Sequence, residues 1–596
     1  MWDMWKKYSK YSLGALLVIA LGLRIAGINY GLPSYRLLAD EEWHIEKIYK
    51  LNSHNLNPRL PGYPTFFSYL ILAISKIFAL FKITLSNADY YLLGRIISCI
   101  FGVATIVITY KLGKLLRGKS IAILSAAFIT FNPLHIQFSH IAVTDATLAF
   151  WITLAVFTIL KFHEEKIGIL WQAVCIGLAV STKYSGIAAI TPLLIVFCLD
   201  KNLFLKRPTK TMRVSFQILL LGAILGLVFI IWHYPPQKII NFSISISEDG
   251  HLESFYRDFI NKIPRLLLYC IVIILGSFLI SLKDNKAGRT VINYCMNKKL
   301  FLSLCIIALT FFIVFPFAIL DFKYSLKGFF FQYFHQAIGG ASCLPEATPF
   351  YKLFSEEAKR QPWSGYFYIK SIVKGFGAPA LGLAIFGMIR YLLNDFKRGI
   401  ILLSFPAAAF LIASSPRYLA QRYMLPVVPF LCISAGIGTA LFLEYFKKWA
   451  LRWNFSKRIC KVFAVCFIVF VFSHPIEEGI RQARYFILPN TQVLAAQWIK
   501  ENISGDLIIA SEIAIPERNN VKLLQCPLTA YTIEDLKKEN IRVLVTIDPE
   551  YYGKVYRRAY PTTTHRYLYL QKKTPLREFV PDSKTSGPEI YIYSIE

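Results

Sequence analysis

Long apolar runs separated by short, mostly basic connections set the pattern of this chain. A helix crossing the hydrocarbon core needs about 20 apolar residues. The runs that meet or approach this are 11–31, 90–112, 120–138, 147–161, 167–181, 185–199, 214–233, 264–282, 300–320, 371–391, 399–415, 423–445 and 460–474. They predict an α-helical polytopic membrane protein with thirteen transmembrane helices. One further run, 63–83, carries Lys76 near its middle, which suits a helix lying in the headgroup plane. Counting it as a span would also put Lys111, Lys114, Arg117 and Lys119 outside, against the rule that short cytoplasmic loops carry the positive charge. With that run kept interfacial, the basic loops 111–119, 201–213, 283–299 and 447–461 all fall inside. The N-terminus is then cytoplasmic, as an uncleaved first helix, and the C-terminus extracytoplasmic.

After about residue 475 the pattern changes. An amphipathic stretch, Thr491 to Glu501, leads to the strand-like Leu507–Ala510, a helix-like 533–540, the strand-like Val543–Val545 and the β-rich Ile590–Tyr593. The expected division is a membrane domain, 1–474, and a small exterior α/β domain, 475–596.

Composition agrees with a membrane location: 55% of residues are hydrophobic and 17% charged. A formal net charge of +30 would suggest a nucleic-acid partner if it were clustered on soluble segments, but it is spread over the inner loops and implies none. The 11 cysteines show no CxxC or Cys/His spacing that would hold a metal, though Cys343 and Cys526 are each placed to face an oxidising side.

In this topology two acidic points share the outer face: Asp40-Glu41-Glu42 after the first helix, and Asp145 at the start of the run 147–161. A carboxylate at a low-dielectric boundary holds its proton more tightly and can serve as a general base toward a hydroxyl or amine. Taken singly, either is equally the acid expected at a helix N-terminus. The cations on that face are Arg59, Arg417, Arg422 and Lys183. An anionic phosphate would be held by such groups, Arg through two parallel bonds and Lys as a point charge, while snorkelling toward headgroups is the alternative for the arginines. For Lys183, between two short helices, a carbonyl-rich break in the membrane is the expected housing. Glu248, Asp249, His251 and Glu253 form a loop cluster that leaves open a divalent cation, with no certain cofactor.

These segments resemble the GT-C glycosyltransferases, in the branch that holds protein O-mannosyltransferases and the lipid A aminoarabinose transferase, enzymes dependent on a phospholipid carrier. The resemblance rests on Asp40-Glu41, Gly62-Tyr63-Pro64-Thr65, Arg95-Ile96-Ile97-Ser98 with Gly102, and Asn132-Pro133 through His140 to Asp145. It continues with Gly177-Leu178-Ala179, Thr182-Lys183-Tyr184, Pro316–Phe322 and Arg422–Pro426. It implies a GT-C-like fold and an inverting transfer of a sugar from a polyprenyl-phosphate-linked donor, in membrane lipid, to a protein, lipid or glycan acceptor outside. Asp40 and Glu41 would then be catalytic, with Asp40 the base, and Asp145 would position the acceptor or the phosphate clamp. Arg59, Tyr63, His140, Lys183, Arg417 and Arg422 would contact substrate. The chain departs from the family at Glu42-Trp43-His44, and at a Lys near the start of the interfacial helix, which is either replaced by Arg59 or absent. A transporter of polyprenyl-linked saccharide is the alternative, predicting inverted repeats and ionisable residues at mid-membrane.

Overall fold

The computed structural model describes residues 2–32, 39–53, 56–57, 63–199, 297–321, 325, 364–414, 420–513, 515, 520–523, 533–547, 570 and 572–595, with Asp40 described through its backbone only. The helices are α1 (Trp2–Ile25), α2 (Ala39–Ser53), α3 (Phe66–Leu80), α4 (Asn87–Arg117), α5 (Lys119–Thr130), α6 (Pro133–Ser139), α7 (Thr144–His163), α8 (Leu170–Thr182) and α9 (Ile190–Cys198). They continue as α10 (Lys298–Val314), α11 (Ser364–Asn394), α12 (Phe396–Ser414), α13 (Val428–Arg452), α14 (Lys457–Ile487), α15 (Thr491–Asn502) and α16 (Ile533–Lys538). Among the described residues six helices are long and apolar enough to cross a membrane, and α5 with α6 makes a seventh if counted as one bent span. The expected spans 214–233 and 264–282, and the loop cluster around His251, lie outside the described residues, as do Cys343 and Cys526.

Local chemistry sets the helix ends. Ser86 and Asp89 form a reciprocal capping box at the start of α4, and Gly118, at φ 92°, turns the chain directly into α5. The run expected as one helix over 120–138 is instead broken by 63° between α5 and α6. The cause is Asn132-Pro133: Asn132 caps α6 by accepting from the His135 N–H, and Pro133 has no N–H to give to the Ile129 carbonyl. Arg24, wholly buried at the end of α1, takes over that role, donating to the Ile129 and Thr130 carbonyls at 3.1 and 3.2 Å. The break is therefore a joint that fixes where α1 ends.

The main core gathers α4, α5, α7, α8 and α11–α13, with α13 almost wholly enclosed. α11 and α13 meet so closely that a Cβ on Gly438 would fall 1.9 Å from the Leu383 carbonyl oxygen, and one on Gly387 2.1 Å from that of Ser434. Small residues at such crossings let backbones touch where lipid offers no hydrophobic driving force. α3, at 15 residues, is shorter than a full span and packs on α2 through Phe67, Ile71 and Leu72 against Ile45, Ile48 and Leu51.

α14 runs past residue 475 to Ile487 before the polypeptide enters a small sheet domain. There β1 (Ile508–Ser511), β2 (Val521–Leu523), β3 (Ile541–Ile547), β4 (Arg577–Phe579) and β5 (Ile590–Ser594) lie in the order β2-β1-β3-β5-β4. β1 is parallel to β2 and β3, while β5 is antiparallel to β3 and β4. The domain is fastened to the end of α1. Asn490 Nδ2 donates to the Tyr30 hydroxyl at 2.6 Å, and Ser586 Oγ lies 3.2 Å from the same oxygen.

Candidate active site

Four helix segments and one turn meet here: the start of α2, the first three turns of α4, the turn between α6 and α7, the start of α7 and the end of α8. Glu41 is the knot among them. Its carboxylate is fully buried and receives Arg95 through two bonds, Nε at 2.9 Å and Nη2 at 2.7 Å. It also accepts the Ala142 backbone N–H at 2.7 Å. Arg95 turns its remaining terminal nitrogen to the Ile28 and Tyr30 carbonyls at 3.0 and 2.7 Å. A buried ion pair is tolerated only when its other hydrogen-bonding groups are also met, and here four of the guanidinium's five donors are used. Gly94 makes the approach possible, since a Cβ there would stand 2.7 Å from the Ala142 side chain.

Three residues beyond Ala142, Asp145 enters the first turn of α7 and accepts the Lys183 ammonium at 2.9 Å, both side chains being nearly without solvent contact. Lys183 caps the end of α8, where the chain passes into a 3-10 helix, Tyr184–Ala189. The ammonium is therefore housed by a carboxylate and by two aromatic faces, Tyr423 at 5.1 Å and Tyr63 at 5.6 Å, where carbonyls had been expected. A second 3-10 helix, Gln421–Val427, brings Arg422, whose guanidinium lies 5.8 Å from the Tyr423 ring.

Asp145, Lys183, Arg422 and Tyr423 line a common cavity of about 80 Å³, closed on its apolar side by Leu148, Ile152, Phe405 and Ala409. One carboxylate and two cations facing a largely apolar hollow suit an anionic head carried on a hydrocarbon tail. Low dielectric strengthens each charge.

α2 lies alongside. His44 is buried, with its ring 5.2 Å from Tyr63 and 5.6 Å from Phe67. Lys47, wholly buried, donates to the Tyr63 carbonyl. Burial pushes the Lys47 ammonium down to about 7. Burial, reinforced by the positive charges of Lys47 and Lys183, pushes His44 down to about 3. In the sequence His44 shows only as part of a departure from the family and Lys47 not at all, although they stand four and seven positions after Asp40, one stripe of a helix.

Of the other expected contacts, His140 does not line the cavity. Its ring stacks flat on Phe486 at 4.2 Å, and its nitrogens face the Ile136 and Ala26 carbonyls. Arg59, Arg417 and the Asp40 side chain lie outside the described residues. Among the described residues no three His, Cys, Asp or Glu side chains are grouped as metal ligands.

Residues 16–245 match the family of dolichyl-phosphate-mannose-protein mannosyltransferases. Among solved structures, the archaeal oligosaccharyltransferase AglB from Archaeoglobus fulgidus, in complex with an inhibitory peptide and a dolichol-phosphate, aligns with a TM-score of 0.50 at 17% identity. That alignment covers 98% of this chain and 74% of that one, and the likeness is one of fold. ArnT from Cupriavidus metallidurans, bound to undecaprenyl phosphate, aligns with a TM-score of 0.45 at 12% identity over 99% of this chain and 98% of that one. No curated protein matches the sequence.

Proposed function

We propose, from the premise that this chain is a membrane glycosyltransferase of the GT-C type, that it moves a sugar with inversion from a polyprenyl-phosphate-linked donor to an acceptor on the extracytoplasmic face. The observation that carries this reading is the cavity in which the buried Asp145–Lys183 pair meets Arg422 beside an apolar wall. A lipid phosphate needs both halves of that surface.

The division of labour follows from charge. The acceptor's oxygen attacks the anomeric carbon on the side opposite the phosphate, and its proton passes to the Asp40 carboxylate. The bond from anomeric carbon to phosphate oxygen breaks with the electron pair staying on phosphate, so configuration inverts and no general acid is required. Lys183 and Arg422, already in place before the charge grows, stabilise it. Asp145 holds Lys183 in line, and Arg59 and Arg417 are further cations for the same head. Glu41, spent on Arg95 and Ala142, is a positioning residue: it ties the start of α2 to the segment that leads into Asp145. Asp40, the preceding residue, shares its helical stripe with His44 and Lys47, which meet Tyr63 at the margin of the site.

The reading carries with it a topology of thirteen spans, a cytoplasmic N-terminus and an exterior domain from about 475 onward, as charge bias along the sequence suggests. The test is transfer from a synthetic polyprenyl-phosphate mannose by purified protein, read by mass spectrometry of the acceptor pool. Arg422→Ala should raise the donor KM at least tenfold while the protein still purifies folded. An unchanged KM would remove the phosphate from this cavity.

A further inference from the structure

The cavity accounts for one side of Lys183. Around Tyr63, which Lys183 also meets, stand two buried nitrogen groups that the mechanism above leaves unused. Lys47 has three N–H donors, and the one acceptor it meets among the described residues is the Tyr63 carbonyl. No carboxylate among the described residues pairs with it. His44 Nδ1 is buried and has no hydrogen-bond partner. Both ammonium groups act on the same imidazole, so His44 lies within electrostatic reach of Lys47 and Lys183 alike. Tyr63 is the shared landmark, touched by Lys47 at its carbonyl and by His44 and Lys183 at its ring.

A buried ammonium with no counter-ion among the described residues, beside a buried imidazole nitrogen with no partner, is costly unless an anion completes the set, the imidazole turning its N–H toward it. We propose that Lys47, His44 and Lys183 form an anion site around Tyr63 for the phosphate monoester released by transfer, and that Lys47 takes up a proton as this product binds. The inference rests on the donor reading above and deepens it.

Charge balance explains the proton. In the donor the phosphate is a diester with one negative charge, and in the product it is a monoester that approaches two. On α2 and α4, Glu41 and Arg95 neutralise each other, and Asp145 neutralises Lys183. Of the other described acids on α2, Glu46 is exposed and Glu42 half-buried. Arg422 and Tyr423 line the cavity with Lys183, and His44 is neutral. Lys47, whose ammonium burial pushes down to about 7, is the group whose charge answers the extra negative charge. An adjacent anion favours the ammonium.

The experiment is calorimetric titration of the full chain in lipid nanodiscs with geranylgeranyl monophosphate near pH 8, repeated in buffers of different ionisation enthalpy. Wild type should take up close to one proton more per ligand than Lys47→Arg, which is charged throughout, and than Lys47→Met, which has nothing to protonate. From pH 7 to pH 9 wild-type affinity should fall by more than about twentyfold relative to Lys47→Arg, as uptake of close to one proton over most of that range requires. Equal proton uptake in wild type and Lys47→Arg overturns the inference, whether or not Lys47→Met folds. Inorganic phosphate gives the second arm. The same uptake without the lipid assigns the site to phosphate as such, while uptake with the lipid alone assigns it to the carrier's head. Wild type that binds no geranylgeranyl monophosphate at all would overturn the donor reading itself, a result distinct from binding without proton uptake.

Discussion

Asp145 and Lys183 come from the first turn of one helix and the cap of another, 38 residues apart, and meet at 2.9 Å with almost no solvent contact. The pair is the centre of the charge arrangement, because it fixes a cation at the cavity wall without leaving a net charge in an apolar place.

Breaking that pair should separate stability from activity. Asp145→Asn leaves a buried ammonium uncompensated and should cost about 3–5 kcal/mol. The double change Asp145→Asn with Lys183→Met should recover most of that stability, as measured by thermal unfolding in detergent, while transfer stays abolished. Recovery of transfer in the double variant would show that the charges act only on folding.

Glu41 should behave as a structural acid. Glu41→Gln is expected to lower stability by about 3 kcal/mol, and Arg95→Met should cost much less in the Glu41→Gln background than alone, the sign of one shared interaction. If Glu41→Gln instead unfolds like wild type and loses transfer, the glutamate itself belongs to the chemistry.

Lys47 predicts a pH dependence of stability with a definite sign. In the unfolded chain its ammonium keeps its proton to about 10.5, and in the ligand-free fold it releases it near 7. Between those values the unfolded state binds more protons, so stability should rise as pH climbs from about 7 and level off above 10.5. Lys47→Met should flatten this slope in denaturation measured across that range.

Two glycines set helix spacing by the lack of a side chain. Gly94→Ala drives a methyl into Ala142 and should displace the Glu41 knot, and Gly438→Ala collides with backbone on α11. Overpacking of this kind costs typically about 1–3 kcal/mol. The Gly94 variant should also lose transfer, since Ala142 leads to Asp145, whereas Gly438→Ala should chiefly lower the melting temperature.

Docking of the exterior domain should depend on one hydroxyl. Tyr30→Phe removes the acceptor of the buried Asn490 amide, while the Ser586 hydroxyl keeps the Leu488 carbonyl, at a cost of about 1–3 kcal/mol. Hydrogen exchange at the Thr491 and Ser586 amides, which tie 489–491 to 586, should quicken, with the membrane core unaffected.

How much of this was legible in sequence depends on the kind of signal. Apolar length located α4, α7, α8, α11, α12 and α13 because burial in hydrocarbon demands it, and alternating β-branched residues marked β1, β3 and β5. The short strands β2 and β4 carry too few residues for a period. The break after Thr130 was written in Asn132-Pro133, but an apolar window of this width runs straight across it. Asp145 and Lys183 were each visible as charges in costly places, yet nothing in one sequence states which acid meets which base. Arg95 offered the missing clue for Glu41, because an arginine inside an apolar run requires an anion. The burial of Lys47 and His44 was hidden because their stretch reads as an ordinary polar loop helix, and the contacts with Tyr63 and, for His44, Phe67 form only in the fold.

The most direct measurement is the transfer rate of Asp40→Asn with a polyprenyl-phosphate-linked sugar, on protein whose unfolding matches wild type. A missing general base should lower the rate by about 10²–10⁴-fold with little change in donor KM. Transfer at the wild-type rate would contradict the assignment of Asp40 and, with it, the account of this site.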